Sequence, residues 1–272
     1  MAIAARLQSA SAKTVVGRRV SMTTIVVLAD PPAPGVASPG LAAGTPLSEA
    51  EAARLYEAML VDVCRTVQAG GADLLVNYPP ADRAPVDEPE RALRDTLADE
   101  LEEPAEARYE VQVGETFAGR VGNTVTHLLE EEGERQVAVT TPAAPFLRRD
   151  HVGGLGMSLR TEEVALAPAW GGRVALAGFT EPLDFTDAFA APAVETLAMR
   201  ARDAGLSVDF LPRQPVVETS ADLADAVAYA TARVRAERLV PGRTVGVIED
   251  LGLRAVEAGG ETLTVSRESD NS

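Results

Sequence analysis

A few residues in this chain have types and surroundings that could do chemistry. Glu218 follows the apolar pair Val216-Val217 and immediately precedes a helix-like segment. A carboxylate at such a strand end can ligate a cation or act as a base, or it can simply be an acid at a helix entry beside the cap residue Ser220. Trp170 lies in a Gly-rich turn, Pro168-Ala169-Trp170-Gly171-Gly172, between two apolar segments. It can stack on a nucleobase or pack as an ordinary rim aromatic. Arg173 closes that turn and Arg120 follows Gly119. Each can contact a phosphate or pair with a neighbouring acid. Arg148-Arg149-Asp150-His151 holds the one adjacent basic pair past residue 22. It reads as an anion contact at a helix start or as a solvated face. Glu130-Glu131-Glu132 reads as a solvated acidic face in preference to a cation site, His127 as structural and Cys64 as core.

Several chemistries are excluded. The chain has no G-x-S-x-G, no phosphate-loop lysine and no G-x-G-x-x-G. Gly114-Glu115-Thr116 and Val152-Gly153-Gly154 read as turns. The formal charge is −16, from 25 basic and 41 acidic residues, and Lys13 is the single lysine. Nucleic-acid binding needs a basic stripe, and an anionic membrane surface needs a basic patch, so neither partner is expected. Cys64 is the one cysteine, which rules out an internal disulfide framework and a cysteine zinc site. No apolar run reaches the roughly 18 residues of a membrane span. A cytoplasmic location is expected.

The elements that must position these residues begin with an apolar strand, Thr24 to Ala29. A Pro/Gly-rich loop follows, and Ser48 with Glu51 forms a capping box for a helix that stops at Gly70-Gly71. In α/β proteins a first strand-loop-helix of this kind often holds a phosphate. Here the loop from Asp30 to Ser48 contains no Lys or Arg. Further strands are expected at Leu74–Tyr78, Tyr109–Val113, Gln136–Thr140, Val164–Ala167, Val174–Ala177 and Val208–Leu211. Helices are expected at Arg91–Leu101, Phe117–Glu132, Pro192–Ala204 and from Ser220 to about Arg238. This alternation predicts a mostly parallel sheet with helices on both faces, over 22–238. Residues 239–272 read as a small β-rich tail with strands at Val245–Ile248, Leu253–Val256 and Leu263–Val265. Residues 1–21 are basic and free of acids, and read as a disordered extension or a start placed too early, with Met22 as the initiator.

Three stretches carry a family resemblance: PAVETLAMRARDAGLSVDFLP (Pro192 to Pro212), ETSADL (Glu218 to Leu223) and LSEAEAARLYEAMLVDV (Leu47 to Val63). Together with the segment order from Thr24 to Tyr229, they resemble the GT-A-type nucleotide-diphospho-sugar transferases. Within these, the chain is similar to the small glycosyltransferase-like proteins containing the domain of unknown function 2064. Its arginine-rich, lysine-poor acidity resembles haloarchaeal proteins, although a GC-rich genome also favours Arg and Ala over Lys. The resemblance implies a GT-A-like fold and a nucleotide sugar or other small molecule as partner, with Mg²⁺ or Mn²⁺ if the protein is active. Gly35, Arg120, Trp170 and Arg173 become the candidate nucleotide-binding residues and Glu218 the candidate catalytic acid.

The departures from the family pattern are systematic. Of its first loop, K-x-P-x-P-G-x-x-K-T-R-L, this chain keeps Pro32, Pro34, Gly35 and Leu41, but Asp30, Ser38 and Gly40 occupy the basic positions. The G-[ST]-D-[SC]-P at the end of the central strand becomes Thr141-Pro142-Ala143-Ala144-Pro145, with Ala143 in place of the metal-reaching Asp. In P-A-x-D-G-G-Y, Gly171 takes the Asp position in an ungapped match. W-S-T-P becomes Phe189-Ala190-Ala191-Pro192, and D-V-D-T-P becomes Val216-Val217-Glu218-Thr219-Ser220, which leaves Glu218 as the acid kept in kind. The expected function is therefore a glycosyltransferase-like protein with degenerate metal and phosphate motifs, weakly active or non-catalytic. The alternatives are a nucleotidyltransferase acting on a phosphorylated small molecule and a non-catalytic ligand-sensing or partner-binding scaffold.

The net charge sets a condition on stability. The melting temperature should rise between about 0.01 M and about 1 M salt, as the screening length falls from about 30 Å to about 3 Å. A flat profile across a salt series would count against self-repulsion as a constraint on this fold.

Overall fold

The computed structural model describes residues 22–35, 39–260 and 262–268. The expected N-terminal extension, 1–21, lies outside the described residues. The first element among the described residues is β1 (Thr24–Leu28), whose five residues are all buried, as befits a strand covered on both faces. A short turn of helix, α1 (Pro39–Ala42), leads to the long α2 (Glu49–Ala69). The capping box expected from the sequence is present, with the Ser48 amide donating to Glu51 Oε2 at 2.8 Å and the Glu51 amide donating to Ser48 Oγ at 3.3 Å.

Next come β2 (Asp73–Tyr78), α3 (Pro89–Leu97), β3 (Arg108–Val111), α4 (Phe117–Thr126) and β4 (Val137–Thr140). A single wide turn, His127–Glu131, extends α4. At its end, Glu132 meets Arg108 Nη2 at 2.9 Å, so part of that acidic run is used in pairing with β3. The order continues with α5 (Arg149–Ser158), β5 (Val164–Pro168), β6 (Val174–Phe179), α6 (Ala193–Asp203), β7 (Val208–Phe210) and α7 (Ser220–Arg235). Seven strands form one sheet in the order β3-β2-β1-β4-β6-β5-β7. All pairings are parallel except those of β6, which runs antiparallel to both β4 and β5. Alternate side chains of β1 feed opposite faces of this sheet. Ile25 and Val27 pack towards α2 and α5. Val26 and Leu28 pack towards α4 and α6, against Val121 and Leu197.

Two expectations about local structure are corrected. Val245–Ile248 belongs to a helix, α8 (Gly242–Asp250), and not to a strand. A four-residue apolar run fits either state, and what decides is a partner far away in sequence. The buried Asp62 on α2 accepts hydrogen bonds from the Thr244 amide and hydroxyl at 2.7 Å each and from the Arg243 amide at 3.2 Å. These are donors that a helix start leaves open. Val152-Gly153-Gly154 lies inside α5 and is not a turn. Its weak helix propensity is overridden by the burial of Val152 and Leu155 against the sheet.

The rest of the tail is an antiparallel ribbon of β8 (Leu253–Glu257) and β9 (Leu263–Arg267). Its Leu253 and Val265 join Leu55, Met59, Val227 and Ile248 in a second core on the outer side of α2. Arg267 Nη2 reaches Glu51 Oε2 at 2.6 Å. The Arg267 hydrogen bond, then those from Ser48, hold the Glu51 carboxyl down at about 2. The tail is thus strapped to α2 at the helix start and at its middle.

Asp62→Ala should lower stability by about 1–3 kcal/mol, because three buried or half-buried donors lose their acceptor. Urea unfolding would measure this, and amide exchange should show the loss concentrated at the start of α8. Wild-type protection there would refute the cap.

Candidate active-site cleft

The carboxyl ends of β1 and β4 and the amino end of β6 open onto one crevice, the usual location of ligands in an open α/β sheet. Two cavities, of about 290 Å³ and 230 Å³, share Leu28, Phe117, Thr141 and Glu218 as a common wall. The first also reaches Arg173 and Phe189. The second reaches Asp30, Tyr56, Arg120 and Ala143. Phe117 and Phe189 meet edge to face, with ring centres 5.3 Å apart, and form an apolar side of the crevice.

Glu218 is held in this wall by its backbone. The Val217 amide donates to the Ala143 carbonyl at 2.7 Å, and Thr219 caps α7 through a capping box with Asp222. A Cβ at Gly40 would lie 2.3 Å from the Glu218 carbonyl oxygen. The backbone of α1 therefore packs directly under Glu218, and no side chain fits at position 40 without a backbone shift.

Arg173 leaves a turn in which Gly171 and Gly172 both take positive φ, 68° and 71°, a conformation open to glycine at little cost. Four of its five N–H donors are engaged. Nη1 donates to Glu218 Oε2 and Asp222 Oδ2 at 2.8 Å each, Nη2 to Asp222 Oδ1 at 2.6 Å, and Nε to the Trp170 carbonyl at 2.9 Å. These hydrogen bonds, those to Asp222 foremost, raise the Arg173 pKa further. Burial of Asp222 opposes its charge, but the Arg173 and Thr219 hydrogen bonds outweigh this and hold the carboxyl below its ordinary range.

Arg120 is in a different state. Its Nη1 donates to the Glu115 carbonyl at 3.2 Å, while its buried Nε has no hydrogen-bond partner among the described residues. Asp30 faces the same cavity, and its amide donates to the Tyr56 hydroxyl at 2.9 Å. The residue is exposed overall, and its carboxyl is desolvated where it faces the cavity wall. That desolvation raises its pKa, against the opposing charge of Arg120.

The other sequence candidates lie elsewhere. Trp170 lines neither cavity. It is 58% exposed, and the Arg213 guanidinium covers its ring at 4.2 Å. Gly35 makes a turn at φ 78° beside Glu49, also outside the cavity walls. Arg148 forks onto Asp150 at 2.6 and 2.9 Å. His127 stands near Glu132 on the surface, and Cys64 is buried, with burial pushing its thiol pKa up. The structure thus gathers Glu218, Arg173 and Arg120 at the cleft and leaves Trp170 and Gly35 outside it. Sequence reasoning missed Asp222, although the T-x-x-D spacing from Thr219 marks it as a capping acid near Glu218. The pairing of Asp30 with Tyr56 had no local signal.

The donor set does not fit a protein-held Mg²⁺ or Mn²⁺, which would need several oxygen ligands converging. Ala143 offers none, Glu218 is committed to Arg173, and no group of three His, Cys, Asp or Glu converges among the described residues.

No protein-family model matches this chain, and no curated protein matches it in sequence. Among solved structures, it is similar to a protein from Desulfovibrio desulfuricans G20, provisionally described as a nucleotide-diphospho-sugar transferase. The TM-score is 0.68 at 22% identity, over 85% of this chain and 95% of that one. The chain has a nucleotide-diphospho-sugar transferase-like fold. A cytidylyltransferase from Leptospira borgpetersenii (TM-score 0.47, 9% identity, 84% of this chain and 94% of that one) also matches. So does 4-diphosphocytidyl-2C-methyl-D-erythritol synthase from Anaerococcus prevotii DSM 20548 (0.47, 11%, 77% and 96%). At those scores the two add nothing to the fold assignment.

Arg173→Ala should cost roughly 2–4 kcal/mol, between the values for exposed and for fully buried pairs. The folded-state pKa of Asp222 lies below its unfolded one, so its stabilisation is complete above an unfolded pKa of about 4 and is lost as pH falls through the depressed folded value. The variant should therefore be less stable at neutral pH and show a flatter acid limb. Wild-type urea midpoints at pH 7 and pH 3 alike would contradict the role given to this arginine.

Proposed function

We propose that this chain is a glycosyltransferase-like protein of the nucleotide-diphospho-sugar transferase superfamily whose metal and phosphate motifs are degenerate. On this reading it is weakly active or non-catalytic and binds nucleotide sugars only weakly. It is also a divergent, haloarchaeal-type relative of the proteins containing the domain of unknown function 2064, working in the cytoplasm. No helix among the described residues is long and apolar enough to cross a membrane.

The observation that carries this reading is the Arg173–Glu218–Asp222 cluster. Group transfer from a nucleotide diphosphate builds negative charge on the leaving oxygens. Cations must meet that charge. A bound diphosphate brings roughly two to three negative charges. In this cleft the acid kept in kind, Glu218, is neutralised from within by the arginine that could otherwise face the phosphates. The first loop supplies no cation, and Gly40 is held side-chain-free by the Glu218 carbonyl. Of the two arginines lining the cleft, only Arg120 has no carboxylate contact among the described residues.

Calorimetry at high salt tests the proposal, with UDP- and GDP-sugars and nucleoside triphosphates, each with Mn²⁺ and with a chelator. The expected result is no dissociation constant tighter than about 1 mM. Micromolar, metal-dependent binding of a nucleotide sugar that disappears in Glu218→Ala would overturn the degenerate reading and restore a working transferase. The same result with a triphosphate would favour nucleotidyl transfer. Metal-independent binding lost in Arg120→Ala would identify a ligand sensor.

A further inference from the structure

We propose that a second cavity, on the far side of the β4–α5 loop from the cleft, is a binding site for a small organic anion with an apolar body. It lies between α2, that loop, the end of α7 and the start of α8, encloses about 230 Å³, and shares no lining residue with the cleft. That volume is below the roughly 300 Å³ at which small-molecule sites usually start, which restricts the ligand to a small one.

Four arginines line it, in a chain with 41 acidic to 25 basic residues. An arginine without a carboxylate partner is not rare among the described residues, so what matters here is that two of them line one cavity with an apolar wall. Two of the four are neutralised: Arg65 pairs with Glu100 at 2.7 Å and Arg148 with Asp150 at 2.6 Å. The other two are not. Arg149 stands exposed at the rim, and its side chain makes no hydrogen bond or ion pair among the described residues. Arg233 spends Nε on the Leu239 carbonyl at 2.7 Å and Nη1 on the Tyr229 hydroxyl at 3.1 Å. These contacts orient it and leave its charge uncompensated. The one acid in the wall, Asp62, is turned to the amides of Arg243 and Thr244.

The remaining wall is apolar, with Phe146, Leu147, Pro241 and Leu239, the last of which stands 79% exposed at the mouth. Two guanidinium groups without a carboxylate partner, beside an apolar floor, fit a carboxylate or phosphate head, which guanidinium can hold with paired hydrogen bonds, carried on a hydrophobic or aromatic body.

Calorimetry with phenyl phosphate, phenylacetate and neutral benzyl alcohol tests this at about 0.1 M salt, where screening is moderate. At least one of the two anions should bind with a dissociation constant of about 1 mM or tighter, and benzyl alcohol at least about tenfold more weakly. Binding of phenyl phosphate alone would point to phosphorylated ligands, and of phenylacetate alone to carboxylic acids. Arg149→Gln and Arg233→Gln should each weaken binding about tenfold, whereas Arg120→Gln in the cleft should leave it unchanged. Arg149 has no internal contact to lose, so its variant separates binding from folding. Equal binding of benzyl alcohol would overturn the proposal. So would unchanged affinity in Arg149→Gln, loss in Arg120→Gln, or no heat from either anion at about 10 mM.

Discussion

Arg173 ties the turn between β5 and β6 to the first turn of α7, and the shape and charge of the cleft both depend on that tie. Asp222, with its side chain 10% exposed, is held ionised there by the Arg173 guanidinium together with the Thr219 hydroxyl and amide and the Glu218 amide. Once the guanidinium is placed for Asp222, its remaining Nη1 donor direction falls on Glu218. The capping of α7, the turn geometry at Gly171-Gly172 and the position of Glu218 are therefore one coupled arrangement. Altering any of them alone exposes a partly desolvated charge, which is costlier than losing an exposed ion pair.

The scaffold was legible where burial writes directly into sequence. The β1, β2 and β4 segments are nearly unbroken apolar runs because helices cover both their faces. The α2 cap was legible because Ser48 and Glu51 satisfy each other across three residues. Legibility ended where a distant partner decides. Without Asp62 in view, Val245–Ile248 fits a strand as well as a helix. The glycines in α5 read as punctuation until Val152 and Leu155 are seen to pack on the sheet. At the cleft, the types of Glu218, Arg173 and Arg120 were readable, but their pairing was not. Whether an arginine faces a ligand or a carboxylate is settled by three-dimensional distance, and in so acidic a chain the prior favours a carboxylate.

The tail shows how a small core is extended without a larger sheet. Low aromatic content, 4% of residues, leaves Leu, Val, Ile and Ala to fill space. The outer surface of α2 would be apolar without α8 and the β8–β9 ribbon. Two charged contacts, Asp62 with the α8 start and Glu51 with Arg267, fix the register of that cover. The cavity rimmed by Arg149 and Arg233 exists because this cover meets the β4–α5 loop imperfectly.

The close packing of Gly40 beneath the Glu218 carbonyl bears on how such a chain can change over generations. Placing a cation at position 40 needs more than a change at that position, because the Glu218 carbonyl must withdraw first. That withdrawal strains the Val217–Ala143 hydrogen bond and the start of α7. A lineage acquiring a side chain there would pass through an overpacked intermediate, and such changes typically cost about 1–3 kcal/mol. A domain with an ordinary stability margin of about 5–15 kcal/mol tolerates few such steps together. The packing thus disfavours any side chain at this position, whatever the rest of the cleft carries.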